Sequence, residues 1–125
     1  MTGTRGWIRR QFEPYVKAGV GKWAAEKSSE LGRGIYQYEE AGLLVRLYER
    51  GILYARGLEK NVLPYDAIRR VDPLPLTAVM SANKKPDSFV TLRLVTEERN
   101  VSLDVPMKIY SQLFPTLHRI ASELA

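Results

Sequence analysis

The chain has 125 residues, 45% of them hydrophobic and 26% charged, which is the makeup of one globular domain able to bury a core unaided. It has no cysteine and a single histidine, His118, so disulfide frameworks and thiolate chemistry are excluded, and zinc sites and histidine bases have little to build on. The net charge of +5 is uneven: residues 1–34 hold seven Lys/Arg against three Glu, whereas residues 35–125 hold twelve against eleven, so the basic character belongs to an N-terminal arm.

That arm, residues 1–34, reads as an amphipathic helix from about Thr4 to Leu31. Ile8, Phe12, Tyr15, Val16, Gly19, Val20 and Trp23 fall on one side at helical spacing, with Arg9, Arg10, Lys17, Lys22 and Lys27 off its centre. Pro14 predicts a kink or a fresh start, and Gly19 and Gly21 weaken the helix, so it needs a surface to lie on. The plain expectation is that its aromatic face packs on the sheet or on a second copy. The other is an interfacial helix with Trp7 and Trp23 among anionic headgroups. An arm that orders only on a partner is the third. Gly32-Arg33-Gly34 is then a hinge into the first strand.

Tyr36 to Val71 carries the period-2 signal of an antiparallel meander. Leu43, Val45 and Leu47 alternate with Leu44, Arg46 and Tyr48; Ile52 and Tyr54 alternate with Leu53 and Ala55; Gly51 ends the link between them. Gly57 to Asn61 predicts a turn and Val62 to Tyr65 a short strand, with Pro64 suited to an edge. Asp66 to Val71 holds a turn and a strand. A proline-rich bend follows, then a weak strand at Thr77–Met80 and a loop whose tip is Lys84-Lys85. Phe89–Val95 and Val101–Val105 form a second hairpin. The chain closes in a helix with Asp104 as N-cap and a stripe of Ile109, Leu113, Leu117, Ile120 and Leu124, which Pro115 should bend near Ser111–Gln112.

No reactive constellation emerges. His118 reads as a helix-surface imidazole, and Glu39-Glu40 and Glu97-Glu98 as solvated turn charges, because neighbours on a strand face opposite ways. Gly32-Arg33-Gly34 lacks the spacing and the following helix of a phosphate loop, and no EF-hand, zinc or P-loop spacing occurs. Basic residues outside the arm are scattered, and packing explains Tyr36, Tyr38, Tyr48 and Tyr54 more simply than base stacking does, so nucleic-acid binding is not expected. No apolar run approaches the ~20 residues of a membrane span. The start lacks the h-region of a secretory signal, so a cytoplasmic protein is expected.

The succession Glu40-Ala41-Gly42-Leu43-Leu44-Val45, Gly51-Ile52-Leu53-Tyr54 and Leu63-Pro64-Tyr65-Asp66-Ala67-Ile68, closed by the helix after Pro106, resembles the bacterial pleckstrin-homology (PH)-like domains over about residues 35–125. The resemblance implies an α+β fold: an antiparallel barrel or sandwich of about 6–7 strands capped by the C-terminal helix, here with an extra N-terminal amphipathic helix. It also implies a binding module, not an enzyme. Lipid-binding relatives carry basic residues around the first hairpin, whereas this loop is Glu39-Glu40-Ala41-Gly42, which would repel a phosphate. The expectation is therefore a non-catalytic module, adaptor or immunity type included, that binds another protein or a second copy of itself. It would do so through Trp7, Arg9, Arg10, Phe12, Tyr15, Trp23, Lys84 and Lys85, without metal or cofactor. Peripheral association with anionic lipid through the basic helix is the alternative.

Overall fold

A computed structural model describes residues 3–73 and 88–124. The predicted strand at Thr77–Met80 and the loop tip with Lys84 and Lys85 lie outside the described residues. The chain falls into two compact units, Met1–Ala67 and Ile68–Ala125.

The first unit opens with helix α1 (Thr4–Lys17), followed by two short strands, β1 (Lys22–Trp23) and β2 (Lys27–Ser28). The meander comes next: β3 (Gly32–Glu40), β4 (Leu43–Tyr48), β5 (Gly51–Arg56), β6 (Glu59–Pro64) and a 3-10 turn at Tyr65–Ala67. All pairings are antiparallel, in the order β1-β3-β4-β5-β6, with β2 also on β3. The register sets Tyr36 beside Leu47 and Ile52, and Tyr38 beside Val45 and Tyr54. These six side chains therefore share one face, and each is 4% exposed or less. The alternation legible in the sequence is this burial.

The other face of the sheet has a cover of its own. Leu31 folds over Tyr48 and Leu53, with Leu44 packed alongside, which is why Tyr48 is buried despite its phase. Gly51 lies beneath that leucine: a Cβ there would stand 2.4 Å from Leu31 Cδ2 and 2.5 Å from the Leu63 carbonyl. The side-chain-free position is a packing requirement, beyond any need of the turn. Tyr65, fully buried, donates its hydroxyl to the Tyr48 carbonyl at 2.7 Å, and burial pushes its phenol far above the usual range. Along the outer strand, Tyr65 N–H bonds the Arg50 carbonyl, so by the alternation of the ladder Lys60, Val62 and Pro64 turn their backbone groups outward. Pro64 thus costs no ladder bond, as an edge position allows.

The helix differs from the sequence expectation in its extent. It stops at Lys17, not near Leu31, because Gly19 and Gly21 take φ of 80° and 79°, which no helix continues. Trp23 leaves the helical face and pairs with Tyr36 as a strand residue.

Among the described residues, the second unit has an antiparallel sheet of β7 (Arg70–Asp72), β8 (Phe89–Val95) and β9 (Asn100–Pro106), with helix α2 (Met107–Leu124) packed across these strands. Val90, Leu92 and Leu94 of β8 and Val101, Leu103 and Val105 of β9 point inward with Ile109, Leu113, Leu117 and Ile120 of α2. The predicted N-cap is corrected here. Asp104 lies inside β9 and accepts the Thr91 hydroxyl at 2.5 Å, while Met107 N–H is met by the Ser88 carbonyl. The chain stays helical through Pro115, which sits on the exposed side. The α+β class, the antiparallel strands and the two flanking helices match the expectation and are consistent with PH-like element order. Among the described residues the strands form two separate ladders, one in each unit, and α2 covers the sheet of its own unit.

Two substitutions probe this packing. Gly51→Ala should lower stability by roughly 1–3 kcal/mol through overpacking, and Leu92→Ala by about 2–5 kcal/mol through the cavity it leaves, both read by urea unfolding. Tyr65→Phe should cost about 1–3 kcal/mol, because the buried Tyr48 carbonyl loses its partner.

Candidate functional site at the α1–β1 edge

On the outer side of β3 the first sheet carries only the two-residue strands β1 and β2, and α1 is seated beside β3. Ile8 and Phe12 of α1 are completely buried, and the Phe12 ring stacks on Tyr36 with centroids 4.3 Å apart at 23°. Tyr15 leans on Phe12 from the next turn, at 5.7 Å and 60°. Tyr36 donates its hydroxyl to the Val20 carbonyl at 2.8 Å, and burial pushes its phenol well above the ordinary value, with Tyr15 and Tyr38 adding smaller contributions. Gly21 has to be glycine, since a Cβ there would sit 2.2 Å from the Tyr36 hydroxyl oxygen. One tyrosine therefore fixes both the helix and the turn that ends it.

This seating decides where the sequence-predicted contacts lie. Arg9 places its guanidinium carbon 4.2 Å from the centroid of Trp23, a cation–π stack that ties the flank of α1 to β1. Arg5 and Arg10 are exposed, whereas Trp7, Tyr15 and Trp23 are half-buried. Phe12 has joined the core, so its ring serves the fold. Lys17 is exposed and pairs with Glu13 at 2.9 Å, and the lysine holds that carboxyl below its usual range. The structure thus gathers Trp7, Arg9, Arg10, Tyr15 and Trp23 on and beside one helix.

Sequence reasoning missed a polar cluster on the opposite face. Gln37, 3% exposed, accepts Arg46 Nε at 2.8 Å, and Arg46 also donates to the Tyr48 hydroxyl at 2.9 Å. Glu26 lies 3.5 Å from the same guanidinium; backbone N–H groups, then Arg46, hold its carboxyl low. Beside this network a pocket of about 270 Å³ is lined by Gly19, Gly21, Lys22, Gln37 and Glu39. The one sequence signal for it was the pair of glycines flanking Val20, which marks a turn and not a helix.

Among the described residues, no group of three or more His, Cys, Asp or Glu side chains could hold a metal. None of their helices is long and apolar enough to cross a membrane. His118 is exposed on α2, 5.7 Å from the Phe114 ring centroid. Comparison with family models, curated proteins and solved structures finds no match to this chain.

The stack at this edge has a measurable coupling. A double-mutant cycle on Arg9→Ala and Trp23→Ala should return about 0.5–1 kcal/mol, and Phe12→Ala alone should cost roughly 3–5 kcal/mol by chemical unfolding.

Proposed function

We propose that the chain is a non-catalytic binding module of PH-like type that docks another protein through the cationic edge formed by α1 and β1. The observation carrying this reading is the Arg9–Trp23 stack on a helix whose apolar face is already buried. An anchored helix presents its cations from a fixed backbone, and the Arg9 stack holds one guanidinium in place, so an acidic partner meets a partly preformed surface. Arg5, one turn before Arg9, supplies exposed charge on that side; Arg10 adds exposed charge further round the helix, and the half-buried Trp7 is an aromatic of the kind that interfaces favour.

The membrane reading draws on the same charges and on the two tryptophans. It needs the apolar side of the helix to enter the lipid boundary. Ile8 and Phe12, which would lead that insertion, are at 0% exposure against the sheet. Insertion would thus require pulling α1 off Tyr36, and protein docking requires no such rearrangement.

Capture from native lysate on the immobilised full-length chain should recover a stoichiometric protein partner. Arg5→Glu/Arg10→Glu, both on exposed positions, should cut retention about tenfold or more, and the complex should weaken with salt. Absence of any stoichiometric partner contradicts the proposal. Salt-sensitive binding to anionic vesicles that the same double variant abolishes would favour the membrane reading instead.

A further inference from the structure

The pocket beside β1 lies where a hydrogen-bond ladder stops one rung early. Ala24 N–H bonds the Ile35 carbonyl, and Lys22 pairs with Gln37, so the same register would set Val20 opposite Glu39. Val20 does not take that place. Its N–H goes to the Tyr15 carbonyl at 2.8 Å, and its own carbonyl receives the Tyr36 hydroxyl. By the alternation along β3, the backbone N–H and C=O of Glu39 point away from β4, towards the pocket that Gly19, Gly21, Lys22, Gln37 and Glu39 line. A Cβ on Gly19 would meet nothing within 4 Å, so the mouth is open on that side.

Direction and charge define what fits. A strand laid along β3 in the sense of β1 runs towards Lys22. Its last residue would face Glu39, exchanging N–H and C=O with that backbone, and its terminal carboxylate would arrive at Lys22. The side chain of that residue would lie on the same face as the Glu39 carboxylate, where an opposite charge is favoured across a strand pair. Lys22 and Glu39 are both exposed on the rim, and the Gln37 amide between them is oriented by Arg46. We propose that this pocket captures the C-terminal residue of a partner polypeptide, preferentially one ending in lysine or arginine, by adding it as the missing rung of β3. The inference names the partner chemistry for the docking role proposed above and rests on that reading.

The test is a titration of the isotope-labelled full-length chain, followed by amide NMR. The probes are acetyl-Ala-Ala-Lys with a free C-terminus, its C-terminal amide, and acetyl-Ala-Ala-norleucine as the free acid. The free lysine peptide should shift Gly19, Gly21, Lys22 and Glu39. The amide should bind about tenfold more weakly, for want of a charge-assisted bond to Lys22, and the norleucine peptide severalfold more weakly. Lys22→Ala should erase the difference between acid and amide, and Glu39→Gln the difference between lysine and norleucine. Equal affinity for acid and amide, or no shifts at these residues up to roughly 10 mM peptide, a millimolar Kd already marking weak binding, overturns the proposal. Peptide binding without a partner in the lysate supports the pocket and contradicts the docking role. A captured partner without peptide binding overturns the pocket alone.

Discussion

The contact on which the first unit depends is the face-to-face seat of Phe12 on Tyr36, together with the bond from the Tyr36 hydroxyl to the Val20 carbonyl. On its own α1 is a poor helix. Gly3 at its start caps no backbone N–H with a side chain, its first turn has no acidic residue, and Arg5 sits in that first turn, where the helix dipole disfavours cations. Helices of this length are marginal in water even with better sequences, so tertiary packing has to supply the difference. Ile8 and Phe12 supply it. The arrangement of cations that makes α1 weak alone is also what makes its surface useful once it is seated.

Both candidate surfaces follow from that one anchor. The cation–aromatic edge exists because α1 is held near Trp23. The open rung at Glu39 exists because Val20 is drawn back to Tyr15 and Tyr36 and cannot complete β1. Losing the Tyr36 hydroxyl would therefore loosen the turn and the pocket at once. Among the described residues of the second unit, the inward side chains go to α2, and the outer face carries exposed pairs such as Arg70 with Asp72, at 2.6 Å, which add little to stability.

How far the sequence revealed this depended on period. β4, β8 and β9 were legible because each alternates over six or seven residues, and β5 because a short apolar run follows a glycine turn. The stripe of α2 was legible for the same reason at the helical period. β1 and β2 were not, since a two-residue strand has no period to read, and Val20 and Trp23 continue the helical spacing of Phe12 by coincidence. Asp104 misled because a good capping side chain just before a proline fits a helix start as well as it fits a strand end. At the site, the aromatic and basic residues of α1 could be picked from the sequence, but not the burial of Phe12. Nor could the pocket around Gln37, a polar residue whose use depends on where Val20 goes.

Hydrogen exchange at the α1 amides tests the anchoring directly. If Phe12 and Tyr36 seat the helix as described, the amides of Phe12, Glu13 and Tyr15 will be protected to nearly the degree of Tyr36 and Tyr38 in β3. Exchange of the α1 amides at the rate of an unstructured peptide, with β3 still protected, would show a detached arm and contradict the account.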